Sequence, residues 1–154
     1  MPIAYILIGI PGSGKTTWAK SQDWFNNCVY ISTDKFVEEY AHSQNKTYSE
    51  VFNEYMPTAV DLMVKEVVKA RQESKNIIWD QTSTTIISRI KKFRMLPDYE
   101  HIAVTFNTPN EVELNYRLNN RPGKIIPNEV IKDMINKFEI PTEEEGYKEI
   151  WFVN

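Results

Sequence analysis

Eight residues near the start of the chain, Gly9-Ile-Pro-Gly-Ser-Gly-Lys-Thr16, have the types and spacing of a loop that wraps a phosphate chain, G-x-x-x-x-G-K-[ST]. Glycines at 9, 12 and 14, with Ser13 between the last two, let successive backbone N–H groups converge on phosphate oxygens, and a following helix adds its positive N-terminus. Lys15 is placed to meet the β- and γ-phosphates. Thr16 can offer its hydroxyl to Mg²⁺, and Thr17 is a further phosphate contact. The loop implies a nucleoside triphosphate such as ATP but not its fate, because kinases, GTPases and ATP-driven machines share it.

Two acids follow apolar runs, where the ligand crevice of an α/β sheet lies. Asp34 comes three residues after Val29-Tyr-Ile31, and Asp80 directly after Ile77-Ile-Trp79. A carboxylate beside a phosphate loop can take the proton of an attacking hydroxyl or hold magnesium through water, and one residue seldom does both. The pattern leaves each assignment open. Asp34 also suits a helix N-cap ahead of Lys35–Tyr40, and Asp80 a turn or a metal-serving acid. Arg117 and Arg121 are expected on one face of a helix that opens at the capping sequence Thr108-Pro-Asn-Glu111. The break Arg121-Pro-Gly-Lys124 then makes residues 109–127 a lid over the phosphates, with Arg121 reaching the transferred group; the plainer use of both arginines is to stabilise a helix end.

The elements that must hold these residues can be read from periodicity. Strand-length apolar runs occur at Ile3–Ile10, Cys28–Ile31, Asn76–Trp79 and His101–Phe106. A helix is expected over Pro57–Arg71, with the stripe Ala59, Val60, Met63, Val64, Val67 and Val68, and another from Pro127, with Val130, Ile131, Met134, Ile135 and Phe138. Strands alternating with helices imply an α/β fold of three layers, a parallel sheet flanked by helices in the P-loop NTPase manner, with a helical lid. The run Glu149–Val153 fits an edge strand or an ordered tail, and Glu143-Glu144-Glu145 a solvated loop.

Composition agrees with one domain over 1–154: 42% of residues are hydrophobic and 25% charged, which excludes disorder, collagen and coiled coil. One cysteine, Cys28, and two separate histidines, His42 and His101, give no disulfide and no zinc spacing; with no signal peptide or membrane-length apolar run, a cytoplasmic protein is expected. A net charge of −3 excludes a global basic field, so a polyanion would have to meet one of two local patches, Arg89-Lys91-Lys92-Arg94 or Arg117-Arg121-Lys124, each of which also reads as a solvated helix face.

Taken together, the blocks Ile8–Ala19, Tyr30-Ile-Ser-Thr-Asp34, Asp80-Gln-Thr-Ser83 with Arg89, and Arg117-Leu-Asn-Asn-Arg121 with Ile126-Pro127 resemble the kinase domain of phage-type 5′-polynucleotide kinases, within the wider group of P-loop kinases. The resemblance spans roughly residues 3–138 and is carried mainly by the first and last blocks. It implies that Asp34 is the general base, that Arg117 and Arg121 contact ATP, and that Asp80, Thr82 and Arg89 shape the acceptor side. Mg²⁺ on Thr16 and, for a phage-encoded protein, the host cytoplasm are implied as well. Two departures concern the acceptor: Val37 replaces the family's acceptor-binding Arg, and Ser83 stands where Asn is usual. The chain contains no D-x-D, so the phosphatase domain that often accompanies this kinase is not expected. Three functions follow in order: transfer of the γ-phosphate of ATP to the 5′-hydroxyl of DNA or RNA; the same transfer to a nucleoside, nucleotide, modified base or other small hydroxyl compound, which Val37 and the acidic charge favour; and a regulatory module whose output is nucleotide binding or slow hydrolysis.

Overall fold

The computed structural model describes residues 1–154. Five parallel strands form one sheet in the order β2-β3-β1-β4-β5: β1 Ile3–Ile8, β2 Cys28–Ile31, β3 Asn76–Asp80, β4 Glu100–Phe106 and β5 Glu149–Val153. Six helices connect them: α1 Lys15–Ser21, α2 Asp34–Ser43, α3 Tyr48–Gln72, α4 Ile86–Met95, α5 Glu111–Asn119 and α6 Asn128–Asn136.

Alternation along the strands sends apolar side chains to two cores. Ala4, Ile6 and Ile8 of β1 pack with Ile77 and Trp79 beneath Met63, Val67 and Ala70 of α3 and the end of α4. Leu7, Ile78, Ile102 and Val104 face the other way, onto Ala19 and Trp18 of α1. With both faces covered, the central strands have no need of polar residues, which is why they read as continuous apolar runs. A third cluster, Val37, Ala41, Val51 and Ala59, joins α2 to α3, and a fourth, Ile10, Leu114 and Ile131, seats α5 and α6 against the phosphate loop.

Register brings the chemistry to one edge. Leu7 pairs with Asp80 and Ile31 with Trp79, so the loop after β1, the acid ending β3 and the acid after β2 emerge side by side from three adjacent strands.

Several expected boundaries move. Helix α3 starts at Tyr48 rather than Pro57, because Thr47 and Glu50 form a reciprocal cap: the Glu50 N–H donates to Thr47 Oγ1 at 3.2 Å, and the Thr47 N–H to Glu50 Oε1 at 3.0 Å. Pro57 then lies inside the helix on its exposed side, where the carbonyl it leaves unbonded can reach water. Val60 and Val68 of the expected stripe are exposed, and Ala70 takes part in the core instead. The cap of α5 is Asn110, whose Oδ1 accepts from the Glu113 N–H, and the helix ends at Asn119, which puts Arg121 beyond it rather than on a face shared with Arg117. Val130 and Ile135 of α6 are also exposed. Residues Glu143–Glu145 form a 3₁₀ turn rather than a solvated loop, and Glu149–Val153 is a true edge strand.

Candidate active site

The phosphate loop leaves β1 at Gly9, turns through Gly12 and Gly14 at φ +83° and +96°, and enters α1 at Lys15. Positive φ is tolerated there because neither glycine has a Cβ. The Gly9 N–H donates to Thr82 O at 2.9 Å, which ties the loop to the segment after β3. A Cβ on Gly9 would lie 2.5 Å from Ser13 Oγ, a buried hydroxyl without a protein partner. Lys15 Nζ donates to the Gly9 and Ile10 carbonyls, each at 2.9 Å, curling the lysine over its own loop. Burial pulls its ammonium down to about 8, against the carboxylates of Asp80 and Asp34, while Arg121 pushes it the same way as burial.

The two acids have different surroundings. Asp80 Oδ2 accepts from Thr16 Oγ1 at 2.7 Å and from the Tyr30 phenol. Asp34 opens α2 after the cap residue Thr33, and its Oδ1 accepts from Tyr48 Oη at 2.6 Å, leaving Oδ2 without a protein hydrogen bond. Desolvation and Asp80 raise the Tyr30 phenol above its usual value; desolvation and Asp34 do the same to Tyr48. Both phenols are therefore fixed as neutral donors.

Arg117 projects from α5 to donate to the Gly12 carbonyl at 3.0 Å and to Glu113 at 2.8 Å. Arg121 carries a buried Nη1 with no protein partner, an orphaned donor of the kind a phosphate oxygen satisfies. Beside α1 a cleft of about 680 Å³ is lined by Thr17, Trp18, Phe106, Pro109, Asn110 and Arg117 among others, wide enough for a nucleoside next to the phosphate loop.

Arg89, which the resemblance assigns to the acceptor side, is taken up by an internal ion pair. Its side chain is fully buried, donating through Nε and Nη2 to Glu145 at 2.8 and 3.2 Å and through Nη1 to Ser83 O at 2.9 Å. Each of its three nitrogens is hydrogen-bonded, two pinning the 3₁₀ turn before β5 onto α4 and one holding the segment after β3. Thr82 takes part through its carbonyl, and Asp80 is bonded to Thr16. Val37 is fully buried in the α2–α3 core. Sequence reasoning missed Tyr30 and Tyr48, whose roles depend on partners 50 and 14 residues away. It also missed the attachment of residues 123–125 to the start of α3, for which the Thr47–Glu50 capping pattern was the available signal.

Comparison with known proteins fits this geometry. The family model AAA_33, described as an AAA domain, matches residues 5–141. An L-seryl-tRNA(Sec) kinase of Methanococcus maripaludis is 26% identical over 152 residues, which cover 95% of this chain and 54% of that protein, so the chain spans about half the length of this curated relative. A Chloroflexus aurantiacus structure with a provisional kinase designation superposes with a TM-score of 0.72 at 18% identity, covering 99% of this chain and 84% of that one. A chain of the Pnkp1/Rnl/Hen1 RNA repair complex gives 0.66 at 25% identity, covering 88% and 43%. The family match runs from the first strand past α6, and the chain therefore belongs to the AAA_33 family of AAA domains, on the fold of the P-loop kinases.

Proposed function

We propose that the protein is a Mg²⁺-dependent kinase that moves the γ-phosphoryl group of ATP to a hydroxyl, with the 5′-hydroxyl end of DNA or RNA as the leading acceptor, as in phage-type polynucleotide kinases. The observation that carries this reading is the division of labour between adjacent strand ends: Asp80 is bonded to Thr16, while Asp34 keeps one carboxylate oxygen free beside it. The relatives from seryl-tRNA phosphorylation and RNA repair support an acceptor hydroxyl borne on nucleic acid.

The residues present suit magnesium, since a hydroxyl and a carboxylate 2.7 Å apart are hard oxygen donors of the sort this ion takes alongside phosphates and water. Thr16, with Asp80 through water, would hold it. When bound, it neutralises charge on the β- and γ-phosphates. Loop N–H groups and Lys15 cradle the same phosphates, exchanging the lysine's two carbonyl bonds for phosphate oxygens. Asp34 Oδ2 accepts the proton of the attacking hydroxyl as its oxygen bonds to the γ-phosphorus and the bond to the β–γ bridging oxygen breaks, releasing ADP. Arg121 Nη1 meets the charge that spreads over the transferring group, an interaction worth orders of magnitude in kcat.

A second acceptor class is favoured by two specific observations. The position of the family's acceptor-binding Arg is a buried valine, and Arg89 is committed to Glu145. Neither can hold an acceptor phosphate, which suits a nucleoside or another small hydroxyl compound. The two readings separate by salt: transfer to an oligonucleotide through phosphate contacts weakens steeply between 50 and 200 mM salt, and transfer to a neutral small molecule does not. Lys15→Ala and Asp34→Asn test the machinery in either case. Full turnover in Lys15→Ala would remove the phosphate-loop role, and unchanged kcat in Asp34→Asn would pass the base role to another group.

A further inference from the structure

No hydrogen bond joins the lid loop to the candidate base, yet the first turn of α3 bonds to both. Residues 47–49 begin α3. On one side, the Ser49 N–H donates to Gly123 O at 3.0 Å, and the Ile125 N–H to Ser49 Oγ at 2.8 Å. Gly123 sits at φ +72°, so close to α3 that a Cβ there would lie 2.9 Å from Thr47 Cβ. Lys124 pairs with Glu38 of α2 and holds its ammonium 4.8 Å from the centre of the Tyr48 ring, a half-buried cation–π contact. On the other side, Tyr48 Oη donates to Asp34 Oδ1 at 2.6 Å.

We propose that Tyr48 is a positioning residue for Asp34, and that the docked lid loop 121–125 holds the phenol in place, so that lid docking and base alignment are one event. The inference rests on the reading of Asp34 as the base. Its physical content is rotational. A carboxylate at the first position of a helix has free rotation about its side-chain bonds; a donor on Oδ1 stops that rotation and presents Oδ2 in one direction. The ring of Tyr48 is in turn held by the α2–α3 core, by Phe52, with centroids 5.5 Å apart, and by the Lys124 ammonium. When the loop leaves, the ring loses one wall, and the carboxylate loses its fixed direction. Arg121 travels on the same loop, so the group that meets transferred charge and the group that aligns the base arrive together. An acceptor hydroxyl would thus meet an aligned base only under a docked lid, which limits transfer to water in the open state.

The experiment combines kinetics with a spectroscopic reading that needs no acceptor. In steady-state transfer, Tyr48→Phe is expected to lower kcat by about ten- to a hundredfold, the cost of a slightly misplaced reacting group, with KM for ATP and the melting temperature unchanged. Lys124→Ala is expected to lower kcat severalfold alone and by clearly less in the Y48F background, because the part of its effect that runs through the phenol is already lost there. Multiplicative losses in the double variant, or a Tyr48→Phe loss that comes with a raised KM for ATP and a lower melting temperature, would overturn the inference. Independently, the Tyr48 Cζ resonance of ¹³C-tyrosine-labelled protein, assigned by its disappearance in Y48F, is expected to move in both Asp34→Asn and Lys124→Ala. A resonance that responds to Asp34→Asn but not to Lys124→Ala would refute the lid linkage whether or not an acceptor has been found. Absence of transfer by the parent protein to any hydroxyl, with the resonance shifts as expected, would count against the kinase reading and leave the tether standing.

Discussion

Replacing Arg89 by methionine separates a structural cation from an acceptor ligand. The guanidinium is wholly buried and Glu145 nearly so, with two hydrogen bonds between them and a third to Ser83 O. Methionine fills similar volume but leaves a buried carboxylate without its cation, with only the Thr142 N–H still donating to it, and a buried carbonyl without a donor. Breaking one side of a buried pair costs about 3–5 kcal/mol, because the remaining charge stays desolvated. For a chain of this size that is a fall of roughly 6–20 °C in melting temperature, at about 2–4 °C per kcal/mol. Urea unfolding followed by tryptophan fluorescence measures it, and an unchanged slope with denaturant shows that the denatured state has not changed instead. Replacing both residues, as Arg89→Met with Glu145→Met, is expected to recover most of the loss, since two apolar side chains leave no orphaned charge. A stability change below about 0.5 kcal/mol, the size of a surface substitution, accompanied by a raised KM for the acceptor, would refute this reasoning and return Arg89 to the substrate side.

Three further outcomes follow from the same geometry. Lys92 is buried without a carboxylate partner, 5.2 Å from the centre of the Trp79 ring, and desolvation pulls its ammonium down to about 8. Folded Lys92 therefore sheds its proton near pH 8 while the unfolded chain keeps it to about 10.4, so the parent gains stability across that window; Lys92→Met is expected to be the more stable protein below pH 8, with an advantage that shrinks by pH 10 in urea titrations at each pH. Ser83 adopts φ +47° with a buried, unpartnered hydroxyl, so Ser83→Gly should stabilise by about 0.5–1 kcal/mol in chemical denaturation, and a loss would mean that the hydroxyl is in use. Gly12→Ala places a Cβ at φ +83° within 3.2 Å of Leu114 and Leu118 of α5, which should weaken ATP binding about tenfold by calorimetry, as a strain of 1–2 kcal/mol implies; unchanged affinity would mean that the loop has slack.

The parts of the molecule legible in the sequence were those written locally. The phosphate loop, the apolar strands and the two acids after them follow from residue type and short-range spacing, and the sheet brings them together at adjacent strand ends because parallel β2, β3 and β1 pair in register. What escaped was written at long range. Arg89 is separated from Glu145 by 56 residues, and nothing around a triple-glutamate segment announces that its third member is buried against an arginine. Asp80 could be read as serving either metal or acceptor, and nothing beside it in the chain announces that Thr16 and Tyr30, 64 and 50 residues away, both bond to one of its oxygens. The apolar stripe from Pro57 to Arg71 marks only the later part of α3, whereas the cap at Thr47 starts the helix ten residues upstream of Pro57. Arg121 was expected to share a helical face with Arg117; α5 stops two residues short, and it is the loop, docked on α3, that carries Arg121.

The most direct test of the account is a transfer assay with γ-labelled ATP and Mg²⁺, offered 5′-hydroxyl DNA and RNA oligonucleotides beside nucleosides, nucleotides and other small hydroxyl compounds, with the parent protein and Asp34→Asn run in parallel. The account predicts label on an acceptor hydroxyl with the parent and at least about a hundredfold less with Asp34→Asn, while ATP binding is retained. Label found only as free phosphate, or transferred equally fast by Asp34→Asn, would contradict it.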